Sequence, residues 1–383
     1  MKLILHLGMP KTGSTSIQTF MAQNRDNLLA LGVLYPKVNI STNNHNFISI
    51  FLNEHENIPR RYRAIYKDNA DLVLRDADQN WQRIKNQIDK IKPKSVILSG
   101  EAIFRGFENL DKINLFKNRL HQITDDIDIL VYVRQPSKQY ISHVQQRLKA
   151  SGSFPPPQSL CVREILENIE TCFDKKPTVI AYERDALYRN DVVSDFIYRV
   201  LPEHEKTLNR LPAVAFNESI SVESMSIMQD YRMENYPEKD NIPTVDSVRL
   251  LRSLRDVEKK YKIGTRPVLR EELAQFIDHS STDLLFLAEY YDVQFKGIDY
   301  RAIKTIDNNP YASLIKVSDI CFVDKEVKKK ILMLTLFELT RSDGVLQNIT
   351  LTWISRYQGS FFIQFLIKIK SLIMRVIHII SNR

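Results

Sequence analysis

The chain has 383 residues, of which 43% are hydrophobic and 26% charged, with a formal net charge of +8. Those proportions exclude a disordered or fibrous chain and leave room for one large domain or a core with an appended part. The mild basic excess favours anionic ligands, anionic substrates or membrane surfaces. The absence of a dense basic run with interleaved aromatics speaks against nucleic acid.

In chain order, Leu3 to Leu7 is a short apolar run that reads as a buried first strand, His6 included. It is not a secretory signal, because Gly8, Pro10 and Lys11 follow at once and no cleavage site is evident. The next residues, G-M-P-K-T-G-S-T-S from Gly8 to Ser16, have the glycine spacing of a Walker A loop but not its lysine. That loop reads G-x-x-x-x-G-K-[ST], whereas here Ser14 and Thr15 follow Gly13 directly and the lysine is Lys11. Glycines permit close backbone approach to a phosphate, and a helix from about Ser14 would aim its free N–H groups at the anion. A helix is expected over 16–31. His45, in S-T-N-N-H-N-F, is either a neutral imidazole suited to general-base work near pH 7 or a structural or solvated histidine.

A helix over 78–91 leads to the apolar run Val96 to Leu98, after which Glu101 stands at the strand end. It is either a general base or a carboxylate stabilised by a helix N-terminus. The run Ile127 to Val133 ends in Arg134-Gln135-Pro136 and a helix over 137–149 that carries Ser142. An arginine at a strand end and a helix-borne serine can hold a phosphate through charge-assisted hydrogen bonds. The segment 151–160, S-G-S-F-P-P-P-Q-S-L, is a surface connection or an acceptor-site lid. Helices are expected over 160–173 and 190–201, with a strand at Val179 to Tyr182 and Glu183-Arg184 after it.

Short apolar runs alternating with helices predict an α/β fold, a three-layer core of the P-loop type with a parallel sheet, followed by a mainly helical C-terminal part. Ligands of such sheets gather at the strand carboxyl ends, so Gly8–Thr15, Ser99–Glu101, Arg134 and Glu183-Arg184 are expected on one rim. One boundary is drawn at 297, with a helical extension over 298–383. Cys161 and Cys172, both placed in the 160–173 helix, would lie about 16 Å apart, too far for a disulfide. Cys321 is isolated, and no Cys/His spacing resembles a metal site. The thiol usage is that of a reduced, cytoplasmic chain.

From 360 to 382, polar residues recur in steps of three and four around an otherwise apolar circumference, with lysine and arginine among them. Two readings stand: an amphipathic basic helix lying on anionic lipid at the inner face of a membrane, or a helix packed against protein. Its three cations argue against a membrane span.

The loop and the R-x-P segment together resemble the sulfotransferases that use 3′-phosphoadenosine 5′-phosphosulfate (PAPS). In that family a P-K-T-G-[ST]-[ST] loop binds the 5′-phosphosulfate, and R-x-P with a serine eight residues on binds the 3′-phosphate. This chain has Pro10-Lys11-Thr12-Gly13-Ser14-Thr15, and Arg134-Gln135-Pro136 with Ser142. Gln135 stands where Asp or Asn is usual. Bacterial members are also similar in "AYERDALYRNDVVSDFIYRVL" and "FNESISVESMSIMQDYR", so the resemblance runs over about residues 1–297.

The resemblance implies sulfuryl transfer from PAPS to a hydroxyl of a glycan, polysaccharide or glycolipid, with PAP as product and no metal. Pro10, Lys11, Thr12, Gly13, Ser14 and Thr15 would hold the 5′ group, and Arg134 and Ser142 the 3′-phosphate. Lys11 would meet charge on the leaving oxygen. Glu101 and His45 compete as base, His45 with an alternative place in the acceptor site. Arg184 would bind an anionic acceptor such as a uronate or merely anchor its loop. The competing expectations are a P-loop kinase, disfavoured by the missing post-glycine lysine and Walker B aspartate, and a non-catalytic nucleotide-binding, membrane-associated protein. The oligomeric state and the acceptor's identity stay open.

Overall fold

The computed structural model describes residues 1–38, 43–52, 62, 65–67, 69–211, 219–306 and 308–342, the last three of these without their side chains. The expected amphipathic helix over 360–382, and part of the "FNESIS" segment, lie outside the described residues.

A five-stranded parallel sheet with strand order β2-β3-β1-β4-β5 forms the centre. Its strands are β1 (Lys2–Gly8), β2 (Val33–Leu34), β3 (Ser95–Gly100), β4 (Ile127–Val133) and β5 (Thr178–Ala181). Four of the five match the apolar runs of the sequence. The fifth, β2, is a two-residue edge pairing against Ser95 and Val96, too short to leave a periodic signal.

Because side chains alternate across a strand, β1 feeds two cores. Leu3, Leu5 and Leu7 face one cluster, with Val96, Leu98, Ile129 and Val131. Ile4 faces the other, with Ile97, Leu130 and Tyr132. The first cluster is covered by α3 (Ala70–Ile91), α4 (Glu101–Gly106), α5 (Leu110–His121) and α7 (Arg163–Phe173). The second is covered by α1 (Ser14–Gln23), α2 (Arg25–Ala30) and α8 (Val192–Val200). This is the three-layer α/β core that the sequence predicts.

The helices follow local chemistry. The helix expected over 16–31 is two helices, because Asn24 leaves the helical conformation and turns its amide back to the Phe20 carbonyl (2.9 Å). α3 begins at residue 70, not 78: Asn69 caps it by accepting from the Leu72 N–H, and Val73, Ala77, Trp81, Ile84 and Ile88 form one buried stripe. Each large apolar side chain so buried contributes about 1.5–3 kcal/mol before entropy is counted. The expected 160–173 helix starts at Arg163, where Asp283 accepts from the Val162 and Arg163 N–H groups (2.6 and 2.9 Å). Cys161 therefore lies outside the helix that carries Cys172; Cys161 is exposed, Cys172 and Cys321 are buried, and all three are free.

α6 (Pro136–Arg147) packs against α12 (Glu271–His279), and α13 (Asp283–Tyr291) packs against α7. The chain divides into two compact units that interleave in sequence, whereas the sequence reading draws one boundary at 297. The first unit holds Met1–Arg147, Phe154–Glu218 and Val268–Ile315. The second holds, of the described residues, Leu148–Ser153, Ser219–Pro267 and 316–342. In this second unit α10 (Val222–Asn235), α11 (Val245–Tyr261) and α15 (Lys325–Ser342) pack on one another. Arg232, fully buried, ties it together by donating to the Ala150 and Lys239 carbonyls (2.6 and 2.7 Å). Two short helices complete the α series, α9 (Glu205–Leu208) in the first unit and α14 (Val317–Ile320) in the second. Among the described residues, no helix is long and apolar enough to cross a membrane.

Candidate functional site

Parallel pairing puts all strand carboxyl ends on one rim. Leu7 pairs with Gly100, Gly8 with Tyr132 and Val133 with Ala181, so the residues after these strands emerge side by side. The loop 8–14, Glu101 and Arg134 all lie there.

The loop is tight and partly strained. Lys11 (φ 71°) and Gly13 (φ 78°) both take the left-handed conformation. That costs a lysine about 1–2 kcal/mol and a glycine nothing. Thr12, fully buried, donates to the Met9 carbonyl (2.7 Å) and closes the turn. Gly13 has no room for a side chain, since a Cβ there would lie 2.8 Å from Val192 Cγ1 and 3.1 Å from Tyr182 Cε2. α1 then starts at Ser14 with no side chain capping its N-terminus. Ser14, 1% exposed, has a buried hydroxyl with no hydrogen-bond partner. A Cβ on Gly8 would lie 1.9 Å from that hydroxyl oxygen and 3.5 Å from Glu101 Cγ. The Ser14 side chain thus leaves residue 8 no room for a Cβ, and the uncapped helix end, the unpaired hydroxyl and the Glu101 side chain lie close around Gly8.

Arg134 binds the loop directly. Its guanidinium donates to the Lys11 carbonyl (2.8 Å) and lies over the Tyr182 ring, 5.6 Å from the centroid. The Lys11 ammonium donates to Gln146 Oε1 on α6 (3.1 Å). Glu101 is the first residue of α4 and half-buried; burial pushes its carboxyl above the ordinary value, and the nearby Lys11 charge pulls it partly back. The helix N-terminal reading and the functional reading of Glu101 therefore describe one position.

His45 does not join this group. It is 1% exposed, its Nδ1 accepts from the Ser99 N–H (3.0 Å), and its Nε2 donates to the Pro36 carbonyl (3.0 Å). Burial lowers its pKa to about 4. With both ring nitrogens engaged, the neutral imidazole clamps the 43–51 segment to β3. Asn46 on that segment accepts from the Ala102 N–H (3.0 Å), and its Oδ1 lies 2.8 Å from where a Gly100 Cβ would be. This is why glycine, and not a second serine, precedes Glu101. His6 is fully buried, as its strand position suggests, and shares a hydrogen bond with the Ser99 hydroxyl (2.8 Å).

The remaining expected residues fall around this centre. Pro10 is half-buried, Thr15 is exposed, and Ser142 is half-buried on α6. Arg184 is exposed in a single 3-10 turn, while its neighbour Glu183 pairs with Lys138 (2.9 Å) and accepts from the Lys296 N–H (3.1 Å).

Two features escaped the sequence. Asp278 on α12 accepts from Gln135 Nε2 (2.6 Å), the Ser137 N–H (2.9 Å) and the Ser137 hydroxyl (2.8 Å), fixing the turn that carries Arg134. A cleft of about 200 Å³ also opens beside the loop, lined by Met9, Pro10 and Lys11, by Arg105 and Glu108, by His143, and by residues 158–161. The last of these belong to the segment weighed as connection or lid. Among the described residues, no group of three or more His, Cys, Asp or Glu side chains is arranged to hold a metal ion.

Comparison with known proteins finds no matching protein family, no matching curated protein and no matching solved structure.

Proposed function

We propose that the chain is a PAPS-dependent sulfotransferase that transfers a sulfuryl group to a carbohydrate hydroxyl. The observation that carries this reading is the close grouping at Gly8 of the uncapped start of α1, the unpaired Ser14 hydroxyl and the raised-pKa Glu101, with Lys11 in electrostatic reach of that carboxylate. An uncapped helix start and a buried, unsatisfied hydroxyl suit a phosphate oxygen. Arg134, joined to the same loop through the Lys11 carbonyl, suits the second phosphate of the nucleotide, together with Ser142.

In this mechanism Glu101 accepts the proton of the acceptor hydroxyl as its oxygen attacks sulfur, and the bond from sulfur to the bridging phosphate oxygen breaks. Lys11 neutralises the charge that gathers on that oxygen, and PAP leaves. A carboxylate whose pKa is raised by burial is a better base than an ordinary one. His45, with both nitrogens engaged, serves as scaffold. The carbohydrate acceptor rests on the resemblance of the loop and the R-x-P segment to the sulfotransferases.

The test is thermal stabilisation by 3′,5′-ADP against ATP with Mg²⁺, followed by transfer of radiolabelled sulfate from PAPS. Stabilisation by 3′,5′-ADP and loss of transfer in Glu101→Gln are expected. Selective stabilisation by ATP with Mg²⁺ would favour the kinase alternative and overturn the proposal.

A further inference from the structure

The cleft beside the loop shares Pro10 and Lys11 with the residues assigned to the donor, and the rest of its lining has no role there. Lys11 enters from the loop, Arg105 from α4 and His143 from α6. Arg105, Arg147 and Lys11 all act on the His143 imidazole and, together with its burial, disfavour its charged form. Lys11 and Arg105 therefore bring positive charge to the cleft, and His143 enters it as an imidazole whose charged form is disfavoured, first by burial. Glu108 is the one carboxylate on the lining, and it is exposed, while His143 and Lys11 are half-buried. The balance in the cleft therefore favours an anion.

The floor is apolar. Phe104, Tyr140 and Leu160 are buried and line the cleft together. A ring with C–H groups on one face and oxygens on its edge matches a floor of that kind with donors at the rim. The volume, about 200 Å³, is below the roughly 300–1,000 Å³ of pockets for larger ligands, which suits one sugar unit and not an extended chain. The position is also informative: Lys11 lies at once on this cleft and in electrostatic reach of Glu101.

We infer that this cleft is the acceptor subsite and that it takes an acidic sugar, whose anionic group sits against Arg105 and His143 while its hydroxyl reaches toward Glu101. The inference deepens the sulfotransferase proposal and rests on it for the word acceptor. It moves anion recognition from Arg184, which does not line the cleft, to Arg105, exposed like it, and half-buried His143, which no sequence motif marks. Gln139, half-buried on the same helix, supplies a further donor for a ring hydroxyl. The anionic group is a carboxylate or a sulfate ester, both of which present oxygens that a guanidinium can bind in pairs.

Cys161 provides the probe. It lines the cleft and is exposed, whereas Cys172 and Cys321 are buried. The full chain is treated with a thiol-alkylating reagent at limiting concentration, and modification of Cys161 is timed by mass spectrometry. Three oligosaccharides of equal length are compared: one alternating glucuronate and N-acetylhexosamine, its carboxyl-reduced form, and that reduced form carrying a sulfate ester. One or both of the charged chains should protect Cys161 at concentrations at least tenfold below the reduced chain, as expected for a charge-assisted contact. Whichever charged chain protects identifies the anion. Arg105→Ala should weaken that protection about tenfold or more, with His143→Gln acting in the same direction. Stabilisation by 3′,5′-ADP, read in the same samples, should be unchanged in Arg105→Ala, which also shows that the variant is folded.

Equal protection by charged and reduced chains, no protection by any, or unchanged protection in Arg105→Ala would overturn the inference. The two proposals fail separately. Charge-dependent protection without stabilisation by 3′,5′-ADP leaves the anionic cleft standing and removes the donor. Stabilisation by 3′,5′-ADP without charge-dependent protection does the reverse.

Discussion

Asp278 fixes the turn that carries Arg134, the residue proposed to hold the second phosphate, and its removal should be felt there. The carboxylate, 5% exposed, receives three hydrogen bonds from Gln135 and Ser137, the residues that flank Pro136 in the turn after Arg134. Asp278→Ala leaves the Gln135 amide and the Ser137 N–H buried without an acceptor. A hydrogen bond to a charged group is worth about 1.5–3 kcal/mol, and a stranded buried donor keeps its desolvation cost. The three bonds do not add, and release of a desolvated carboxylate offsets part of the loss, so the net destabilisation is about 3–5 kcal/mol. At roughly 2–4 °C per kcal/mol, the thermal midpoint should fall on the order of 10 °C. Asp278→Asn should cost less, about 1–3 kcal/mol, because Gln135 Oε1 can accept from the new amide once the side chain flips, although the flip leaves the Gln135 amide N–H groups at a buried position with no acceptor. Gln135→Asp, which introduces a residue type usual in the family the motif resembles, would set two buried carboxylates together. It should destabilise about as much as Asp278→Ala, and the double change Gln135→Asp with Asp278→Asn should recover most of the loss. Calorimetric midpoints and 3′,5′-ADP titrations of the four variants test this, with affinity down about tenfold, or 1.4 kcal/mol, in Asp278→Ala. A midpoint for Asp278→Ala within about 2 °C of the parent, less than 1 kcal/mol on the same scale, would refute the reasoning, as would a fully stable Gln135→Asp.

Four further outcomes follow from the same geometry. Lys11→Met removes the charge that holds the Glu101 pKa down, so the acidic limb of the pH–rate profile should move to higher pH while the rate falls about 10²–10³-fold; an unmoved limb would separate Lys11 from Glu101. Because the folded-state pKa of Glu101 is raised, the folded chain holds its proton more tightly than the unfolded one, and that stability is present at low pH and lost as pH rises toward the folded value. Glu101→Gln should therefore be relatively more stable than the parent at pH 8 than at pH 4 while losing about 10²–10⁴ in rate, and an equal stability difference at both pH values would count against a raised pKa. Gly8→Ala should cost about 1–3 kcal/mol from overlap with Ser14 and abolish stabilisation by 3′,5′-ADP, whereas His45→Ala should lower stability and leave the rate per folded molecule within about threefold, under 1 kcal/mol of barrier.

The sequence made the sheet legible because β1 and β4 are mainly apolar runs, interrupted within by only His6 and Asp128 and buried on both faces over most of their length, and such runs have few other interpretations. It made the rim legible because parallel strands must emerge together, so Gly8, Glu101 and Arg134 could be grouped before any coordinate. What stayed hidden was of two kinds. β2 and α4 are two and six residues long, below the length at which periodicity speaks. Arg105, His143 and Asp278 are distant in the chain from the residues they serve, and nothing local distinguishes them from a surface arginine, a helix histidine or a helix-end aspartate. Only the packing of α6 against α12 brings Asp278 to Ser137, and only the end of α4 beside α6 brings Arg105 toward His143. His45 carries the opposite lesson: its type fitted a base, and its hydrogen bonds make it a clamp.

The displaced lysine now has a structural reason. A lysine following Gly13 would sit in the first turn of α1, at the position Ser14 fills, which is 1% exposed and leaves no room for a long side chain. Placed at residue 11, in the left-handed conformation, the same side chain leaves the loop on its outer face, with Gln146 as its partner and Glu101 and His143 in electrostatic reach. Its carbonyl, turned the other way, meets Arg134. Left-handed lysine is strained by about 1–2 kcal/mol, and such strain persists only where the surroundings hold it. Here the hold comes from the Arg134 contact on one side and the Gln146 contact on the other. One residue thereby joins the Arg134 turn, the Glu101 carboxylate and the cleft, which a lysine inside the helix could not reach together.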